Sequence, residues 1–217
     1  MEIKRSTVVQ AQRWSWDRVA SGVACLLLLL GGIAVQPAVA GGATEAMKGT
    51  IDEVLKIIQD KELKQPGRSE ERRQRLEKVV GERFDYLEMS RRALGIPWNT
   101  LSDKDKQEFV ALFQTLLTNT YADKIENYSG EGVQYLNERT EKDYAEVRTK
   151  VLTGKTEIPL DYRLLNKGTD WRVYDVVVDG VSLVNNYRGQ FSKILRSSTY
   201  PDLVDQLRKK SDKIKAS

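Results

Sequence analysis

Four aspartates in otherwise ordered segments, Asp85, Asp161, Asp175 and Asp179, are the groups best suited to proton chemistry, and Tyr174 stands directly before Asp175. A carboxylate of raised pKa beside a phenol donor could move protons in a small α+β cone. Adjacent residues of a strand point to opposite faces, so Tyr174 and Asp175 are expected not to share one substrate atom. The plainer expectation is that these aspartates pair with Arg148, Arg163 or Arg188 and hold a sheet together. Gly180-Val181-Ser182-Leu183-Val184 opens like a nucleophile elbow, but it lacks the closing glycine and no histidine follows as base. The chain of 217 residues has no histidine and one cysteine, Cys25, which lies in a segment expected to be removed. What remains offers no histidine triad, no thiol nucleophile and no zinc site of the usual kind. No Gly-rich phosphate loop is present. These absences argue against histidine- or thiol-based catalysis and leave the carboxylates as the groups that could act.

Apolar and aromatic side chains are in surplus on elements expected to face one another. They are Phe109 and Phe113 on a long helix, and Val147, Val151, Leu160, Tyr162, Leu164 and Val173 on strands. Periodicity alone leaves two readings open, a filled core or a cavity.

Several elements must position these groups. Met47, Ile51, Val54, Leu55 and Ile58 recur at helical spacing over residues 44–60. Lys64-Gln65-Pro66-Gly67-Arg68 breaks that helix, and Ser69 is expected to cap a second one with Leu76, Val79 and Val80 on its apolar face. A short third helix runs from Asp85 to Leu94 and stops at Gly95, with Pro97 beyond. Ser102 and Asp105 resemble a capping box ahead of the longest amphipathic helix, which carries Phe109, Leu112, Phe113, Leu116, Leu117, Thr120, Tyr121 and Ile125.

The period then changes to two. Residues 144–153 and 157–165 alternate as half-buried antiparallel strands, and Pro159 predicts that the second begins at or near an edge. Residues 171–178 are apolar on both faces, which predicts a central strand covered on both sides. Asp179-Gly180 is a strong two-residue hairpin turn, and residues 133–140 form a weaker first strand. Helices first and strands afterwards predict one α+β domain, residues 41–217, with helices lying against a curved antiparallel sheet.

Ahead of it, Lys4, Arg5, Arg13 and Arg18 precede the uncharged run Val19–Val35 and the small residues around Ala38 and Ala40. This order predicts a secretory signal peptide, residues 1–40, cut after Ala40 and exported by the general route; a retained anchor is the competing reading. A formal net charge of +4 gives only weak grounds for a nucleic-acid partner, and none is expected. The basic residues Arg208, Lys209, Lys210, Lys213 and Lys215 are expected on a solvated helix face.

Blocks spread over most of the chain resemble one family. They are Phe84-Asp85-Tyr86 with Met89, Arg91, Leu94, Gly95 and Trp98; Phe109, Phe113, Leu116, Leu117 and Tyr121; Val147-Arg148-Thr149; Pro159-Leu160-Asp161-Tyr162-Arg163; and Trp171 to Phe191. This pattern resembles the toluene-tolerance family of periplasmic phospholipid carriers, of the system that maintains lipid asymmetry in Gram-negative envelopes. The resemblance implies a fold similar to nuclear transport factor 2, enclosing acyl chains while the headgroup stays near solvent. It implies a monomeric shuttle between an outer-membrane lipoprotein and porin complex and an inner-membrane transporter of the ATP-binding-cassette class. It also turns the two open readings toward a cavity, so Phe109, Phe113, Val147, Val151, Leu160, Tyr162, Leu164 and Val173 become expected lipid contacts. The resemblance further implies no catalytic residue, no cofactor and no metal, hence a protein that is not an enzyme, with hopanoid as an alternative cargo. Competing readings are a small enzyme acting through Tyr and Asp on a hydrophobic substrate, and an envelope interaction protein with a solid core.

Overall fold

Alternating strands occupy residues 132–182, with helices before and after them. The computed structural model describes residues 42–128, 132–154 and 156–215, and the expected signal peptide lies outside the described residues. Strands β1 (Gly132–Glu141), β2 (Tyr144–Thr153), β3 (Thr156–Asn166), β4 (Trp171–Val178) and β5 (Val181–Ser182) form one antiparallel sheet in chain order. Helices α1 (Gly42–Gln59), α2 (Ser69–Arg83), α3 (Tyr86–Leu94) and α4 (Asp103–Glu126) precede it, with a 3-10 turn at Ile96–Thr100; α5 (Leu183–Leu195) and α6 (Tyr200–Lys215) follow. The α+β architecture expected from the order of periods is the one observed.

Local chemistry sets the boundaries. Asp179 and Gly180 have φ of 49° and 79°, which gives the β4–β5 hairpin the left-handed pair that a two-residue turn needs. The Asp85 carboxylate accepts from the Glu88 amide and starts α3; Gly95, at φ 69°, ends it. Ser102 accepts from the Asp105 amide at 3.2 Å ahead of α4. Ser69 is itself the first residue of α2, and Arg68 stands in the cap position without a side-chain hydrogen bond.

Two strand expectations need correction. Strand β3 is interior, between β2 and β4. Pro159 is tolerated because the β3–β4 pairing begins only at Leu160 opposite Val178; beyond it, the Asp179 amide donates to the Pro159 carbonyl at 2.9 Å. The missing N–H therefore faces the turn and removes no ladder bond. Strand β4 is not central, since only the two-residue β5 lies outside it. It is nevertheless buried on both faces, at Trp171, Val173, Asp175, Val176 and Val177.

A β-bulge explains that burial. Arg163 pairs with Asp175 and the next residue, Leu164, with Val173, so Tyr174 opposes no residue of β3. The extra residue turns Asp175 and Val177 to the face of Arg163 and Asp161, while Val173, Val176 and Val178 share the face of Leu164, Tyr162 and Leu160.

Three apolar clusters form the interior. Met89, Leu94 and Trp98 pack with Phe109, Phe113, Leu116 and Leu117 of α4, and with Tyr187, Phe191, Leu203 and Leu207 of α5 and α6. Ala43 and Met47 of α1 pack on Ala145, Val147, Tyr162, Leu164, Trp171, Val173 and Val176 of the sheet. Ile57 and Ile58 of α1 pack with Leu63, Leu76 and Val79. No helix among the described residues is long and apolar enough to cross a membrane.

Candidate functional site

One sheet face gathers most of the residues expected to touch an apolar ligand. Val147 stands opposite Tyr162, which stands opposite Val176; Ala145, Leu164 and Val173 form the next row. Val147, Leu164 and Val173 are fully buried. Leu160 is partly buried at the edge of this cluster, and Val151 lies farther along β2, opposite Ile158. Helix α1 covers the face with Ala43, Met47, Ala46 and Ile51, and its N-terminal end is tied down by the Thr44 amide, which donates to the Glu138 carboxylate of β1 at 2.8 Å.

Two tyrosines bring hydroxyls into this apolar layer. Burial pushes the Tyr162 phenol above its ordinary range, with smaller contributions from Tyr135 and Tyr128. The Tyr135 hydroxyl is buried and has no hydrogen-bond partner among the described residues. Burial, together with Asp52 and Glu45, pushes its pKa up to about 12.

Phe109 and Phe113 are elsewhere. Both are fully buried in the helical cluster, where Phe109 meets Phe191 edge-on at 5.6 Å and Phe113 meets Tyr187 at 5.1 Å. The eight expected contacts thus separate into six on the sheet and two among helices α3 to α6. Phe84 packs against both clusters, and its backbone bridges to Val173.

Two of the candidate proton-transfer groups, Asp175 and Asp85, are held by other duties. Asp175 is buried, and it accepts from Ser182 Oγ at 2.6 Å, the Val184 amide at 3.0 Å and Arg163 Nη1 at 3.1 Å. Ser182 in turn accepts from the Asn185 amide at 3.1 Å, so its hydroxyl caps α5. Asp85 caps α3 and pairs with Lys167 at 2.9 Å. The expected pairing of aspartates with arginines holds for Asp175 with Arg163. The expectation that Tyr174 and Asp175 face apart fails, because the bulge lets both line one small pocket. Replacing Asp175 by Asn keeps the shape but removes the charge that three donors converge on. The expected cost is about 2 to 3 kcal/mol in urea unfolding, from a charged hydrogen-bond set and a helix cap. A cost under about 0.5 kcal/mol would deny Asp175 this role.

Comparison with known proteins gives these faces a context. The sequence matches the family described as MlaC protein over residues 48–209. The chain belongs to the MlaC family. A curated relative, the intermembrane phospholipid transport system binding protein MlaC of Haemophilus influenzae, is 24% identical over 122 residues. That match spans 54% of this chain and 57% of the relative, so the chain covers little more than half of the relative's length. Among solved structures, the phospholipid-binding protein from Ralstonia solanacearum, in complex with a phospholipid, is similar at a TM-score of 0.72 and 27% identity. The similarity covers 79% of this chain and 98% of that one.

In this MlaC-family chain, sequence reasoning missed Ala43, Met47 and Tyr135 as partners of the sheet face. The spacing of Met47 and Ile51 marks an apolar helix face, but nothing local says which surface it covers. Tyr135 sits on the strand with the weakest pattern, beside the β1–β2 register shift between Tyr135 and Asn137. Its orphan hydroxyl makes a specific prediction. The folded pKa lies above the unfolded value near 10, so the neutral phenol's contribution is complete below pH 10 and is lost as pH rises toward 12. Tyr135→Phe therefore has wild-type or greater stability at pH 7 and a shallower loss in that window. An unchanged alkaline profile in denaturant titrations would contradict this.

Proposed function

We propose that this chain is a periplasmic phospholipid carrier, with the sheet face of Val147, Leu160, Tyr162, Leu164 and Val173, and Val151 at its far end, receiving the acyl chains beneath α1. The supporting observation is the similarity, over 79% of this chain and 98% of the other, to a protein solved in complex with a phospholipid. Family membership and the transport role named for the Haemophilus relative point the same way. On this reading the protein moves lipid between an inner-membrane transporter of the ATP-binding-cassette class and an outer-membrane complex.

The physical case rests on the cost of moving hydrocarbon through water. Two acyl chains carry roughly thirty methylenes, and at about 0.8 kcal/mol each their exposure costs on the order of 24 kcal/mol. A carrier has to replace most of that contact, yet hold the lipid no more tightly than donor and acceptor do. A layer of Val, Leu and Tyr with few fixed polar groups suits this, and it favours weak headgroup selectivity. The orphan Tyr135 hydroxyl would be available to a lipid ester oxygen.

The test is native mass spectrometry of the full chain purified without detergent, followed by solvent extraction. A diacyl mass lost on extraction supports the carrier. A bare chain mass that persists after incubation with phospholipid vesicles refutes it.

A further inference from the structure

The pocket that the bulge opens lies between α3, α5 and the sheet face opposite Val147 and Tyr162. It is a half-open cleft of about 200 Å³ lined by Arg92, Arg163, Arg188, Tyr174, Asp175 and Asn185, with Val184 at its wall. Three guanidiniums therefore border one small space, and the one carboxylate among them is already engaged by three donors.

The carboxylates behind the pocket do not cancel this charge. Glu88 is shared between Arg91 and Arg92, at 2.6 Å each, and Glu146 between Arg148 at 2.7 Å and Arg163 at 3.5 Å. Arg188 has no ion pair among the described residues. Its guanidinium lies against Gly95, where a Cβ would come within 3.3 Å of Nε. Arg92 lies over the Tyr174 ring at 4.1 Å, and Glu88 holds its Nε. The ring and the carboxylate fix that guanidinium plane, while Arg188 keeps its donors for a ligand.

We propose that this pocket binds a phosphate-type oxyanion, with Arg188 as the principal ligand and Arg92, Arg163 and Asn185 completing the site. Guanidinium groups offer paired N–H donors matched to phosphate oxygens. Delivery from three separate elements suits a tetrahedral anion, since a planar carboxylate is satisfied by one or two such forks. The shared chemistry is that of free phosphate and of a lipid headgroup at a membrane surface. The site rests on the pocket and not on the carrier reading, because it opens on the other side of the sheet from the apolar layer.

The experiment is a titration of the full chain with inorganic phosphate at low ionic strength, followed by amide NMR, together with flotation on vesicles of phosphatidic acid or of phosphatidylcholine. The expected result is saturable shifts at Asn185, Arg188 and Tyr174, weakened about tenfold or more in Arg188→Gln, as loss of a charged hydrogen bond implies. Arg188→Lys should be intermediate, because it keeps charge without the fork. Flotation with phosphatidic acid that Arg188→Gln abolishes assigns the headgroup as source; phosphate shifts without flotation assign the free anion. Arg188 is exposed, so Arg188→Gln is expected to fold; should it not, Asn185→Asp at the same pocket serves as the second variant. Absence of saturable shifts and of flotation, or variants that bind as the parent does, overturns the site. Lipid content measured on the same samples reads the carrier hypothesis separately.

Discussion

Phe113→Ala lowers the unfolding free energy by about 3 to 5 kcal/mol and leaves lipid content per folded molecule unchanged. The first half follows from burial. Phe113 has no exposed surface, and its ring touches Phe109 at 6.0 Å, Tyr187 at 5.1 Å and Phe191 at 5.6 Å. Removing it loses the transfer free energy of the ring and three aromatic contacts, and leaves a cavity that neighbours on α5 cannot refill. Such a loss is a large share of the total for a domain of this size, where 5 to 15 kcal/mol is typical. The second half follows from position, since Phe113 belongs to the helical cluster and not to the layer between α1 and the sheet. Urea unfolding and phosphorus analysis of the detergent-free protein test the two halves separately. A lipid content that falls in the folded variant would return Phe113 to the ligand site.

The same residue marks how far sequence could reach. Helix α4 is legible from its spacing, as are its capping residue Ser102 and its apolar face. Its partners are not. Phe109 to Leu117 pack toward α3, α5 and α6, while Ile125, on the same helix, packs near Ile57 and Val79. An amphipathic pattern specifies that a face is buried without specifying by what. The sheet teaches the same lesson in a different form. Alternation placed β2 and β3 and turned Val147, Tyr162 and Leu164 to one face, as observed. In β4 the alternation is broken by the extra residue Tyr174, and an apolar run with one bulge reads the same as a strand covered on both sides. Both descriptions are partly right, because the bulge is what turns Asp175 and Val177 to the second face. Pro159 misled for a related reason. The cost of a missing N–H depends on where the neighbouring strand ends, and that is settled by the hairpin at Asp179-Gly180, twenty residues later in the chain.

Val147→Trp should abolish lipid loading while the fold survives. Val147 sits mid-strand in the buried layer, fully covered, between Glu138 of β1 and Tyr162 of β3. If acyl chains enter beneath α1, an indole at this position occupies their volume in every molecule. If the layer is permanently filled by α1, the indole instead overpacks a closed core and costs about 1 to 3 kcal/mol with no ligand to displace. The two mechanisms differ in what Val147→Ala does. In a carrier, the smaller residue leaves lipid content near the parent's, because the chains are mobile and fill the added space. In a closed core, it simply destabilises, by the amount expected for two lost methyl groups. Extracted phospholipid per protein, measured beside urea unfolding for both variants, separates these cases. Loading lost in the Trp variant and kept in the Ala variant supports the sheet face as the acyl site. Wild-type loading in a folded Val147→Trp protein would move the lipid away from this face altogether.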